Sequence, residues 1–195
     1  MDAETIRVYD AKASEFAADW EDEQAPPVDL REAIKQYFRT GPTIDVGCGS
    51  GRDTAWLAES GFDVVGVDAS AGLIEEARRR HPGVRFQIDS LPDLTTLQPS
   101  AFSNVLCETV IMHLQVETIA RSVRQLVTLL VPGGVLYLTW RVTRDSDVRD
   151  NQGRLYTSFA PSLVREALVD AQISVDEESN SSSSGKVIHR IVAFK

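Results

Sequence analysis

A chain of 195 residues with 43% hydrophobic and 25% charged content has the size and balance of one globular domain that buries its core without disulfides. Its formal net charge of −9 argues against a nucleic-acid binder that works by neutralising phosphates. The acidic N-terminus has no apolar signal core and no run reaches about 18 apolar residues, so a cytoplasmic protein without a membrane partner is expected.

In chain order, Ile6, Tyr9, Ala13, Phe16, Ala17 and Trp20 fall at helical spacing and predict an amphipathic helix over residues 5–22. Residues 1–24 also hold eight acids against Arg7 and Lys12, a balance of −6 that reads as a solvated helix face. Pro26-Pro27 breaks the chain, and a second helix over 29–39 is closed by Gly41-Pro42. The next stretch organises everything after it. Thr43-Ile44-Asp45-Val46 is a β-prone run entering Gly47-Cys48-Gly49-Ser50-Gly51, and the helical run Arg52–Ala58 leaves it. Glycines at alternate positions let the backbone turn with positive φ and let a ligand touch bare main chain. Free N–H groups at the start of the following helix then point at that ligand, as in a βαβ nucleotide site.

The spacing selects among nucleotides. The third glycine comes one residue too early for G-x-G-x-x-G, and no Lys follows Gly51 as a P-loop requires. Asp45, two residues before the first glycine, would repel a pyrophosphate and suit an ammonium group. The plainer alternative is a tight strand-to-helix turn without a ligand. Further on, Phe62–Asp68 reads as a buried parallel strand ending in a carboxylate 21 residues beyond Gly47, where a ribose hydroxyl pair would be held. Capping of the next helix by Asp68-Ala69-Ser70 is the competing role. A helix over 71–80 ends at His81-Pro82-Gly83; Val84–Ile88 forms a third strand, followed by Asp89-Ser90-Leu91. Phe102–Cys107 reads as a fourth strand, exiting through Glu108 to His113. A helix over 116–130 leads to Pro132-Gly133-Gly134 and a fifth strand to Trp140. Such βα steps predict a parallel sheet with right-handed crossovers.

Residues 141–159 carry Arg141, Arg144, Arg149 and Arg154 among Asp145, Asp147 and Asp150, ending at Tyr156–Phe159. A solvated loop is the default reading, yet this segment leaves the carboxyl end of a strand, where open α/β sheets bind ligands and where arginine could hold a planar anion. A last helix over 161–171 precedes an antiparallel hairpin of Ile173–Asp176 and Val187–Phe194 around the polar loop Ser179–Lys186. A phosphate role for Ser184-Gly185-Lys186 is not expected, because no helix follows it. Cys48 and Cys107 lack metal spacing and the three histidines are scattered, so no metal site is expected and both thiols are read as packed and reduced.

The ordered set of Asp45-x-Gly47-x-Gly49-x-Gly51, Asp68, Asp89 and Pro132-Gly133-Gly134 resembles the class I S-adenosylmethionine-dependent methyltransferases, small-molecule type, over about residues 40–195. The resemblance implies a Rossmann-like α/β fold: a seven-stranded, mostly parallel sheet with a C-terminal antiparallel hairpin and helices on both faces. It implies one domain, with residues 1–40 as a helical cap on an S-adenosylmethionine-binding core. By resemblance, Asp45, Gly47, Cys48, Gly49, Gly51 and Arg52 hold the methionine end of the cofactor. Asp68, with Ala69 and Ser70, holds the ribose; Asp89, Ser90 and Leu91 hold the adenine. Tyr9 belongs to a segment that lids the cofactor in the family, or else only docks its helix. Glu108 is a cofactor or substrate contact, and His113 or Glu108 the candidate base. Arg141, Arg149, Arg154 and Tyr156 would orient an acidic small-molecule acceptor. Ser103-Asn104 replaces an acid that the family usually has after the strand-four Phe. O- or N-methylation is expected of a monomer or homodimer. A thiol or tellurite-resistance-type methyltransferase and a non-catalytic adenosine-binding module stay open.

Overall fold

The computed structural model describes all of residues 1–195. Its sheet has seven strands: β1 (Pro42–Val46), β2 (Asp63–Asp68), β3 (Arg85–Ile88), β4 (Phe102–Cys107), β5 (Leu130–Arg141), β8 (Gln172–Asn180) and β9 (Val187–Phe194). They lie in the order β3-β2-β1-β4-β5-β9-β8. The first five are parallel, and β9 runs antiparallel to both β5 and β8. This is the Rossmann-like sheet with a C-terminal hairpin that the sequence predicts, with β8 reaching four residues further, to Asn180.

Alternation along the central strands explains their unbroken apolar runs, since both faces are covered. Val105, Cys107, Leu136 and Leu138 join one core cluster with Ile119, Val123 and Leu126 of helix α6 (Val116–Leu129) and Val164 of α7 (Pro161–Ala167). The intervening Leu106, Val135 and Tyr137 pack in another with Leu30 and Ile34 of α3 (Val28–Tyr37) and Leu57 of α4 (Arg52–Glu59). Pro132-Gly133-Gly134 is not a separate turn before β5. It is a bulge within it: Phe102 pairs with Leu130 but Asn104 with Val135, and Gly133 takes φ +75° while its N–H donates to the Lys195 carbonyl.

The N-terminal segment departs from one continuous helix. It breaks at Lys12 into α1 (Ala3–Ala11) and α2 (Ala13–Ala18), then widens into a π turn, Asp19–Glu23. Its acids are only partly a solvated face. Asp2 is 7% exposed, caps α1 through the Thr5 N–H and pairs with Arg149 at 3.0 Å. Asp10 accepts from Ser70 Oγ at 2.6 Å and from the Gly72 N–H, binding α1 to the start of α5 (Ala71–Arg80). Glu21 and Asp22 meet Arg80 at the other end of α5. The 141–159 stretch contains a small hairpin of β6 (Val148–Arg149) and β7 (Leu155–Tyr156). No helix is long and apolar enough to cross a membrane.

The unusual Asn104 has a structural reason. Fully buried on β4, it accepts from the Arg39 N–H at 2.9 Å and donates to the Arg39 carbonyl at 2.8 Å and to Thr43 Oγ1 at 2.9 Å. It thereby ties the end of the α3 segment to β1 beneath the glycine turn. Asn104→Ala should cost about 2 kcal/mol, because it strands these partners. Urea denaturation should show a lowered midpoint at an unchanged slope.

Candidate active site

The carboxyl ends of β1, β2, β4 and β5 open into a cavity of about 630 Å³. Residues from α1, α2 and the π turn, among them Tyr9, Phe16 and Trp20, line it, as do Ser181, Ser183, Ser184 and Lys186 from the β8–β9 tip. The volume falls in the range of small-molecule and cofactor sites. The polar hairpin tip therefore borders the site. Its sequence carries no signal for that, because only the pairing of β9 with β5 brings it there.

The glycine turn forms part of the cavity wall. Gly47 has φ +79°, and a Cβ there would stand 2.2 Å from Val110 Cγ2; Gly49 has φ +56°, and a Cβ would stand 2.8 Å from the Trp20 ring. Any side chain would thus meet both strain and a filled space, and the main chain stays bare. Cys48 is buried in this turn, and burial raises its thiol well above the ordinary value, as it does for Cys107. Both are free thiols. Arg52 also borders the cavity, but its guanidinium is held by Asp53 at 2.8 Å and by the Trp20 carbonyl at 3.2 Å.

Three carboxyls at the strand ends enter the same space, which Asp53 and the N-terminal Glu15, Asp19 and Glu23 also border. Asp45, 2% exposed at the end of β1, accepts from Thr54 Oγ1 at 2.6 Å; burial raises its pKa to about 7 against that hydrogen bond. Glu108, just past β4, accepts from Thr139 Oγ1 at 2.6 Å and is likewise raised by burial to about 7. Asp68 is raised by burial and eased by the N–H groups of Ser70 at 2.8 Å and Gly49 at 3.0 Å. None of the three forms an ion pair with a cation of the chain. Thr54 and Thr139, which the sequence reading did not single out, are the groups that position two of them. Ser70 both caps α5 through the Leu73 N–H and, with Ala69, borders the cavity.

Arg141, Arg154, Tyr156 and His113 also border the cavity. The Arg141 and Arg154 guanidiniums lie 5.0 and 5.8 Å from the centre of the Tyr156 ring. Arg154 is paired with Asp150 at 2.7 Å, whereas Arg141 has no carboxylate partner. His113 is 4% exposed, and burial lowers its pKa to about 4. Its Nε2 lies 3.1 Å from the Tyr9 hydroxyl.

Five expected site residues are not brought there, Gly51 among them: it turns at φ +90° outside the cavity wall, and a Cβ there would stand 2.6 Å from the Phe86 ring. Arg149 is taken up by Asp2, Glu4 and the Gly153 carbonyl, because β6 lies against the start of α1 rather than over the cavity. Asp89 spends both carboxylate oxygens on its own loop, accepting from the Ser90 and Thr95 N–H groups and from Thr96. Ser90 follows it in that loop, and Leu91 is buried in the core, its carbonyl accepting from the Met1 ammonium at 2.9 Å. Neither forms part of the cavity wall.

Asp45 has a checkable consequence. Its folded-state pKa lies above the unfolded value, so its contribution to stability is full in acid and is lost as the pH rises through about 7. Asp45→Asn keeps an oxygen for Thr54 without the charge. It should melt higher than the parent at pH 8 in the absence of ligand, and the gap should close towards pH 5.

Residues 44–134 match the family model for a methyltransferase domain. The trans-aconitate 2-methyltransferase of Sinorhizobium fredii is 32% identical over 123 residues, covering 60% of this chain and 45% of that protein. The ubiquinone biosynthesis O-methyltransferase of Xanthomonas euvesicatoria is 29% identical over 153 residues, covering 70% and 63%. This chain thus spans about half to two-thirds of the length of these curated relatives. A solved S-adenosylmethionine-dependent methyltransferase of Anabaena variabilis superposes with a TM-score of 0.73 at 18% identity, covering 97% of this chain and 94% of that one. The chain thus has the Rossmann-like fold of this solved neighbour, and its stretch 44–134 is similar to a methyltransferase domain.

Proposed function

We propose that this chain transfers a methyl group from S-adenosylmethionine to an oxygen of a small acidic molecule. One observation carries the reading: a single cavity joins a bare glycine turn ringed by three cation-free carboxyls to a wall holding Arg141 and Arg154. A ligand that is cationic at sulfur and at its amino group suits the first half; an anionic acceptor suits the second. The relatives named as acting on trans-aconitate and as O-methyltransferases support oxygen as the methylated atom.

The residues present fit this donor. The Gly47–Gly51 main chain and Asp45 hold the amino-acid end, with Arg52 and Cys48 beside them and Asp45 ionising against the ammonium. Asp68, already braced by two N–H groups, keeps lone pairs for two ribose hydroxyls. Glu108 faces the same space and adds negative potential near the sulfonium. Bound there, the donor supplies an electrophilic methyl on a sulfur that leaves as a neutral thioether. The chain contributes alignment of donor and acceptor, worth several kcal/mol through proximity alone. Arg141, free of any internal carboxylate, receives the acceptor's anionic group, with Tyr156 beneath its guanidinium.

Formation of S-adenosylhomocysteine with a panel of hydroxylated carboxylic acids tests this. Arg141→Ala should raise KM for an active acid about tenfold or more, the worth of one charge-assisted hydrogen bond, at unchanged kcat and unchanged S-adenosylhomocysteine affinity. Calorimetry that detects no S-adenosylhomocysteine binding but clear nicotinamide dinucleotide binding would refute the proposal.

A further inference from the structure

The Tyr9–His113 contact goes beyond packing. His113 sits in the short turn Ile111–His113, and each ring nitrogen has one partner. Nδ1 meets the Leu155 carbonyl oxygen. A carbonyl only accepts, so Nδ1 carries the ring proton and Nε2 presents a lone pair. The Tyr9 hydroxyl at 3.1 Å therefore donates to Nε2. Its oxygen keeps lone pairs of its own, one of them only weakly engaged by Arg154 Nη1 at 3.4 Å. Tyr9, His113 and Arg154 all border the cavity. The Tyr9 ring packs edge-on against Phe16 and Trp20 at 5.0 and 5.9 Å, contacts that a phenylalanine would make equally well. What distinguishes a tyrosine here is the hydroxyl.

We propose that Tyr9 and His113 act in series as the proton acceptor for a hydroxyl-bearing substrate, Tyr9 touching that hydroxyl and His113 standing behind Tyr9. This rests on the methyl-transfer reading and narrows it: the acceptor atom is a protonated hydroxyl oxygen on a molecule that also carries an anion, not a carboxylate oxygen. As the oxygen–methyl bond forms, the methyl–sulfur bond breaks with its electron pair left on sulfur. The substrate proton passes to the Tyr9 oxygen, the Tyr9 proton passes to His113 Nε2, and solvent later removes it. One proton is released per turnover, and nothing is oxidised or reduced.

The line is uncharged at rest. Burial raises the Tyr9 phenol above its ordinary range and lowers the His113 imidazolium, so both groups are neutral at pH 7. A weak base suffices, because an oxygen gaining a bond to carbon becomes far more acidic than any imidazolium. Asp150 and Asp2 favour the charge that then develops on His113, and Arg154 opposes it. Direct attack by His113 on a substrate proton would require Tyr9 to move away, since the only unprotonated ring nitrogen is covered.

Histidine-selective ¹⁵N labelling and long-range proton–nitrogen NMR of the full chain read the tautomer directly. His113 should be unprotonated at Nε2, and that resonance should move in Tyr9→Phe while melting temperature and S-adenosylhomocysteine affinity hold. With protocatechuate, a phenol bearing a carboxylate, Tyr9→Phe and His113→Gln should each lower kcat about a hundredfold. The ring-nitrated derivative, whose hydroxyl is largely ionised at assay pH, should lose less than about threefold. An Nε2–H tautomer in the parent, equal losses on both phenols, or turnover of carboxylates alone would overturn the relay. Absence of S-adenosylhomocysteine from every acceptor, with the expected tautomer intact, would instead refute the methyl-transfer reading.

Discussion

Three carboxyls without a cation of their own, Asp45 buried and Asp68 and Glu108 half-buried, dominate this molecule's chemistry. Asp45, Asp68 and Glu108 come from the ends of three parallel strands, and each is braced by a neutral donor: Thr54, the Gly49 and Ser70 N–H groups, and Thr139. Those donors orient the acids without neutralising them. Burial consequently raises all three. The nearby guanidinium of Arg52 is committed to Asp53, and no cation of the chain forms an ion pair with any of the three. The same array that disfavours an empty, ionised site therefore favours a cationic ligand and disfavours a diphosphate.

The arginines that border the same cavity have the complementary sign and a different origin. Arg141 leaves the end of β5, and Arg154 rises from the small hairpin, where Asp150 holds it through an ion pair. Arg154 also lies 4.7 Å from the centre of the Phe16 ring in α2, so that hairpin and the N-terminal segment are packed together across the cavity. Asp2 on Arg149 and Thr5 on the Leu155 N–H fasten the same two pieces further out. The acidic N-terminal run is thus largely structural. Its charges pin α1 and the π turn to α5 and to β6–β7, which keeps Tyr9 within reach of His113.

A fold of this kind hosts many chemistries, and the site decides among them. Here the deciding features are which polar groups remain free once internal hydrogen bonds are counted. Arg141 is free and Arg149 is not; Asp68 retains lone pairs towards the cavity and Asp89 gives its oxygens to the Ser90–Thr96 loop. Residue type and position along the chain do not distinguish the members of these pairs.

The sequence by itself determined the sheet, the glycine turn and the carboxyls at strand ends. Those depend on local causes: period and run length of apolar residues, glycine's access to positive φ, and the fixed reach of a βαβ unit. Asp45, Gly47, Gly49, Gly51 and Asp68 were legible for that reason. Only the tertiary structure decided the roles of residues whose partners are remote. Asn104 looked like a defect until it met Arg39 and Thr43; the serine-rich tip reached the cavity through antiparallel pairing; and the His113 tautomer follows from a carbonyl 42 residues away. A hydrogen bond between distant segments leaves no periodicity in the chain, so its donors and acceptors can be assigned only where the fold has brought them together.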